Sequence, residues 1–259
     1  MRRGLERTNV EKVRTIIKSL IFGMLGGRNI GRLDYLLGRQ SKNPWGGPFN
    51  GQNFRQRIYT DIMSRMDFRA IVETGTFRGT TTEFFAKSNL PVYSVEIDPR
   101  AHGYAVQRLF PQRERVHLFQ GDSPEFLKRL ADRPNFPKSK VFFYLDAHVQ
   151  DSSRYCKPPV VEELEVIFTN WTEAVVMIDD FEVPGTAYSH IDYGPGRVLN
   201  LAYLEPLNYL RLFAFFPVIG PEEETGAKRG WVVLCREDAI NQILSGIRNL
   251  TRVLTKPAG

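Results

Sequence analysis

Cysteine is almost absent: Cys156 and Cys235 are the only two in 259 residues, stand far apart and form no CxxC pair. That excludes a disulfide framework and a four-ligand zinc site, and makes a reducing cytoplasm the default compartment. Also lacking is any apolar run approaching the roughly 20 residues needed to cross a bilayer. The stretch Thr15 to Gly27 is interrupted by Lys18 and has no convincing cleavage site, so no transmembrane segment is expected. Internal repeats and low-complexity segments are missing too.

A basic field over the whole chain is lacking as well, despite a formal net charge of +6. Residues 1–42 hold 10 of the 35 Lys and Arg but only 3 of the 29 Asp and Glu, a surplus of 7 positive charges that leaves the remainder at −1. The basicity belongs to an N-terminal extension, and a nucleic-acid partner is not expected. Within that extension Val10, Val13, Ile16, Ile17, Leu20, Ile21 and Met24 recur at helical spacing against a polar face. The stripe must be buried on the domain, on a second copy in a homo-oligomer, or on an anionic membrane surface. The Gly-, Pro- and Asn-rich stretch Asn43 to Asn53 reads as a loop. The expected organisation is therefore a basic, partly helical extension over 1–55 and a single α/β domain over 56–259.

What is present from residue 56 onward is an alternation of strand-like and helix-like segments, which favours a doubly wound, mostly parallel sheet. Strands are predicted over Ala70 to Glu73, Val92 to Glu96, Val116 to Gln120, Val141 to Asp146 and Ala174 to Asp179. Helices are predicted over Thr80 to Lys87, Ala101 to Leu109, from Ser123, and over Val160 to Phe168. Beyond Asp180 the alternation stops. Leu210 to Pro217 and Gly230 to Cys235 suit an antiparallel hairpin at one edge of the sheet, and a last helix is predicted from Ala239 to Leu250.

The first strand runs into Glu73-Thr74-Gly75-Thr76-Phe77-Arg78-Gly79. The loop leaving the first strand of such a sheet faces the ligand crevice, and glycine lets its backbone approach a ligand. The glycines are four apart and a carboxylate precedes them, unlike a dinucleotide fingerprint; a carboxylate suits the ammonium group of S-adenosyl-L-methionine better than it suits a pyrophosphate. Alone, this pattern is also that of an ordinary turn. Glu96 ends the second strand, where it can accept both hydroxyls of a ribose. Asp122 and Ser123 follow the third, where the carboxylate can accept from an adenine amino group or simply cap the next helix.

These three segments together resemble the motifs of the class I S-adenosylmethionine-dependent methyltransferases, over roughly residues 56 to 236. The resemblance implies a Rossmann-like, seven-stranded sheet in which only the last-inserted strand is antiparallel. It also implies a cofactor site made by Glu73, Gly75, Thr76, Gly79, Glu96, Asp122 and Ser123. Arg78 inside the loop is unusual beside so cationic a ligand, and would face either solvent or the cofactor's carboxylate.

The fourth strand ends in Leu145-Asp146-Ala147-His148 and the fifth in Ile178-Asp179-Asp180. Both ends open on the same crevice, and clustered carboxylates call for a neutralising cation such as magnesium. The arrangement is similar to the metal-dependent O-methyltransferase branch that includes macrocin O-methyltransferase, which implies Asp146, Asp179 and Asp180 as metal ligands. A metal holding neighbouring hydroxyls would align an acceptor oxygen and lower its pKa, and Asp146 or His148 would take the proton. His148 could equally be a metal ligand or a structural histidine; His102 and His117 read as structural. Tyr188, His190, Tyr193 and Tyr203 lie in a segment that is either an acceptor lid or packing against the sheet. The function expected is methyl transfer to a hydroxyl of a small molecule or saccharide. The alternatives are a metal-independent methyltransferase acting on an amine or macromolecule, and a non-catalytic nucleotide-binding protein.

Overall fold

A computed structural model describes residues 26–147 and 158–253. The amphipathic stretch Val10 to Met24, Cys156 and His148 lie outside the described residues.

Five-residue runs of apolar side chains make the centre of the fold. The strands β1 (Ala70–Thr74), β2 (Val92–Glu96), β3 (Val116–Gln120), β4 (Val141–Leu145), β5 (Val175–Asp179), β6 (Phe213–Pro217), β7 (Trp231–Cys235) and β8 (Leu250–Val253) form one sheet in the order β3-β2-β1-β4-β5-β7-β6-β8. Every residue of β1, β4, β5 and β7 is buried, as strands covered on both faces require. Alternate residues feed two cores. Val72, Phe143, Leu145, Val176 and Ile178 face α5 (Ser123–Ala131) and α6 (Val160–Asn170). Ile71, Phe142, Tyr144, Val175 and Met177 face the layer containing α2 (Asn53–Arg65), α3 (Thr80–Phe85), α4 (Pro99–Arg108) and α7 (Asp238–Ser245).

The parallel run β3-β2-β1-β4-β5 and the hairpin of β6 and β7, with β7 antiparallel to both neighbours, agree with expectation. The sheet has eight strands, however, and the last helix stops at Ser245 instead of reaching Leu250. The chain turns at Gly246, keeps Ile247 and Leu250 buried, and pairs antiparallel with the open edge of β6. An unpaired edge offers the backbone hydrogen bonds that a longer helix would have supplied locally.

The segment before β1 belongs to the core. The boundary expected between residues 55 and 56 falls inside α2, whose Phe54, Arg55, Ile58, Tyr59 and Ile62 are buried. Phe49 is wholly buried, its ring 5.4 Å from Tyr59 and 5.2 Å from Tyr144. Residues 26–36 form α1, which packs on α4 almost backbone to backbone. A Cβ on Gly31 would lie 1.9 Å from the Arg100 carbonyl oxygen, and one on Gly103 the same distance from that of Arg28.

Candidate active site

The carboxyl ends of β1, β2, β4 and β5 open on a cavity of about 630 Å3. In a doubly wound sheet this is where strand order reverses and loops diverge, so a crevice forms there for topological reasons. Gly75 and Phe77 from the β1 loop, Glu96 at the end of β2 and Asp98 beyond it, Asp122 and Ser123 beyond β3, Asp146 beyond β4 and Asp180 beyond β5 all line it.

Gly75 is indispensable to this wall. Its φ of +87° is left-handed, and a Cβ there would fall 2.2 Å from the Asp146 carbonyl oxygen. The loop then turns so that the Phe77 N–H donates to Glu96 Oε2 at 2.6 Å, while the Asp98 N–H donates to Oε1 at 2.8 Å. Burial pushes the Glu96 carboxyl above its ordinary value, against these backbone donors. The Asp122 carboxylate caps α5 by accepting from the Glu125 N–H at 3.2 Å, so the capping role and the place in the cavity wall are held by one side chain.

Other members of the expected cofactor set lie behind the wall. Glu73 is buried under the loop, where Oε2 accepts from the hydroxyls of Thr82 and Ser94. Burial drives its pKa up to about 7, against those hydrogen bonds. Thr76 is buried with its hydroxyl against Ser94, and Gly79 begins α3; neither lines the cavity. The physical reason is pleat direction: Glu73 sits between Val72 and Thr74 and points into the α2–α3 layer. Arg78 is turned to the N-terminal segment, donating to Gln40 Oε1 at 2.8 Å, its guanidinium over the rings of Phe77 and Tyr104.

The other half of the cavity differs most from expectation. Asp179 is wholly buried and accepts four hydrogen bonds. At Oδ1 the donors are Arg55 Nη1 at 2.6 Å and the Asp180 N–H at 2.7 Å; at Oδ2 they are the Tyr144 hydroxyl at 2.8 Å and Asn50 Nδ2 at 2.9 Å. Burial alone would raise this carboxyl, but the Arg55 charge and these bonds outweigh it and hold it below the usual range. Asp180, at a φ of 56°, is paired with Arg229 Nε. The Arg229 backbone is clamped by Gln52, whose amide donates to the carbonyl at 2.9 Å and accepts from the N–H at 3.1 Å. Burial, then the charges of Asp179 and Asp180, push the Asp146 carboxyl well above its ordinary value.

The described residues do not fit the divalent metal expected from the sequence. An ionised carboxylate has about four acceptor positions, and those of Asp179 are taken. Asp180 is engaged by a guanidinium, which leaves Asp146 as the expected ligand with no cationic partner in contact among the described residues. Among the described residues no three Asp, Glu, His or Cys side chains are grouped to hold a metal ion.

His102 is buried on α4 and His117 packs on Tyr93, both away from the cavity, as expected of structural histidines. Of the four residues in the expected lid, Tyr193 lines the cavity, whereas Tyr188 donates to the Gly220 carbonyl and Tyr203 to that of Pro158. His190 lies against the Tyr188 carbonyl. Behind Ser123, Glu163 of α6 is wholly buried; its carboxyl lies near the hydroxyls of Ser123 and Thr74 yet closes no well-formed hydrogen bond.

Sequence reasoning missed Trp45, Asn50, Gln52, Arg55 and Arg229. One signal was available: Arg55 stands three, four and seven residues before Ile58, Tyr59 and Ile62, in the apolar stripe of an amphipathic helix. A cation in such a stripe needs a buried anion.

No family model matches the chain, and no curated protein matches it in sequence. Solved structures resemble it in fold. An O-methyltransferase from Bacillus cereus in complex with SAH is 16% identical, with a TM-score of 0.52 over 71% of this chain and 81% of that one. The O-methyltransferase TomG from Streptomyces achromogenes, in complex with SAM, is 19% identical, with a TM-score of 0.49 over 70% and 79%. The fold is the Rossmann-like α/β fold of the Bacillus cereus enzyme.

Proposed function

We propose that the protein is an S-adenosyl-L-methionine-dependent methyltransferase acting on a hydroxyl of a small molecule or saccharide. The observation that carries the reading is Glu96 in the cavity wall at the end of β2, each oxygen already oriented by one backbone N–H. A carboxylate fixed in this way has acceptor capacity left for two vicinal ribose hydroxyls. Asp122 and Ser123 stand one strand further on, where an adenine would lie. The Bacillus cereus fold neighbour holds SAH, and a cavity of about 630 Å3 has room for such a cofactor and a small acceptor.

Transfer needs little from the protein beyond alignment and a place for one proton. The acceptor oxygen attacks the methyl carbon in line, the new O–C bond forms as the S–C bond breaks, and S-adenosylhomocysteine leaves. Asp146, beside Gly75 in the cavity wall, takes the hydroxyl proton. The divalent metal expected from the sequence has no part in this reading, because Asp179 is saturated by hydrogen bonds and Asp180 is paired with Arg229.

Calorimetric titration with S-adenosylhomocysteine tests the proposal. Saturable one-to-one binding by the wild-type chain is expected, weakened by on the order of 10- to 100-fold in Glu96→Ala, the range for a hydrogen bond to a charged group. No binding to a folded wild-type chain would remove the reading.

A further inference from the structure

We infer that Arg55, seconded by Arg229, supplies within the protein the positive charge that a divalent cation would bring to this site, and that the site works without a metal. The inference deepens the methyltransferase reading and rests on it for the identity of the reaction. Its physical basis is the way three acidic side chains, two buried and one half-buried, are balanced in one place.

Asp146, Asp179 and Asp180 stand together at the carboxyl ends of the paired strands β4 and β5, where Leu145 is in register with Ile178, and Asp146 and Asp180 line the same cavity. Three carboxylates cannot all stay ionised out of water without compensating charge. Arg55 answers one of them directly. Its side chain is wholly buried and bonded to Asp179, and its guanidinium carbon lies 5.4 Å from the ring centroid of Phe49, 5.3 Å from that of Tyr144 and 5.9 Å from that of Trp231. An aromatic box of this kind stabilises a desolvated cation through the ring quadrupoles. Guanidinium also suits burial, being weakly hydrated and permanently charged. Arg229 answers Asp180, with its backbone held at both polar groups by Gln52.

A metal entering this cluster would have to strip Asp179 of donors that are themselves fixed. Tyr144 belongs to a central strand, Arg55 to α2, and Asn50 to a loop in which Trp45, Phe49 and Asn50 all take left-handed backbone angles. Displacing Arg55 would bury two cations against the same carboxylates. The arrangement also orients Asn50, since an amide facing a carboxylate must present its NH2.

The test is a titration of the wild-type chain with Mn2+, read as free Mn2+ by electron paramagnetic resonance, with and without S-adenosylhomocysteine. It needs neither cofactor binding nor an acceptor, so its outcome is independent of the methyltransferase test. We expect no site tighter than about 1 mM. One bound Mn2+ per chain, lost in Asp179→Asn, would overturn the inference. Arg55→Met and Arg55→Lys extend the test. Arg55→Met, which removes one of the two donors at Asp179 Oδ1 together with the repelling charge, is expected to gain Mn2+ binding that Arg55→Lys does not. A folded Arg55→Met that ignores Mn2+ as the wild type does would count against Arg55 as the excluding cation. If that variant fails to fold, the wild-type titration decides alone.

Discussion

Arg55 Nη1 donates to Asp179 Oδ1 at 2.6 Å, and both side chains are fully excluded from water. The two residues are 124 positions apart, one on the helix that precedes the sheet and one at the end of its fifth strand. Their pairing ties the N-terminal segment to the crevice. Removing either partner leaves an uncompensated charge where solvation is costly. Arg55→Met and Asp179→Asn should each lose about 3–5 kcal/mol of unfolding free energy. The double variant should lose less than the sum, because no charge is then stranded. Urea unfolding of the four proteins measures this, and strict additivity would show that the pair is not coupled.

Gly75 sets how closely the β1 and β4 loops approach. Gly75→Ala combines a left-handed φ with a Cβ 2.2 Å from the Asp146 carbonyl oxygen. It should lower stability by about 1–3 kcal/mol, the usual range for overpacking, and should abolish S-adenosylhomocysteine binding by displacing the wall. Thermal unfolding and calorimetry read the two effects separately. Retained affinity would mean that the loop shifts without reshaping the cavity.

In the proposed methyl transfer, with Asp146 as the base, the raised Asp146 carboxyl sets a pH dependence of definite sign. A general base acts in its deprotonated form, and burial together with Asp179 and Asp180 moves its ionisation upward. The rate constant kcat should therefore rise with pH through a value above the ordinary carboxylate range and then level off. Asp146→Asn should be slow and lack that rise. A rise of the same size and position in the variant would assign the proton to another group.

Glu163 should make the fold less stable as pH increases. Burial, against the nearby Ser123 and Thr74 hydroxyls, raises its pKa from 4.5 to about 7. The folded chain then holds a proton that the unfolded chain has released. This contribution is present in full below about 4.5 and is lost as pH rises through about 7. Glu163→Gln cannot ionise, so its stability relative to wild type should grow by about 3 kcal/mol between pH 4 and pH 8. Denaturant unfolding at the two pH values checks it, and an unchanged difference would show that Glu163 ionises freely when buried.

Much of the frame was legible in local sequence. Val92–Glu96 and Val116–Gln120 form strands with the predicted bounds, because a short apolar run between turn residues has few other ways to bury itself. Gly75, Glu96 and Asp122 were found from their places just past strand ends, and the parallel order brings them to one cavity. The C-terminal strand was not legible, since Leu250–Val253 owes its state to the open edge of β6 and not to its own periodicity.

The sequence by itself determined the alternation of strand and helix, the loop that turns at Gly75, and the acidic residues at successive strand ends. Those depend on interactions within a few residues, where apolar spacing and turn chemistry act directly. Only the tertiary structure decided which carboxylates face the cavity and what neutralises them. Glu73 is turned under the loop by the strand's pleat, and Asp179 is saturated by Asn50, Arg55 and Tyr144, which reach it from distant parts of the chain. A carboxylate's role is set by the charge and donors around it in space, and these arrive only when the chain is packed.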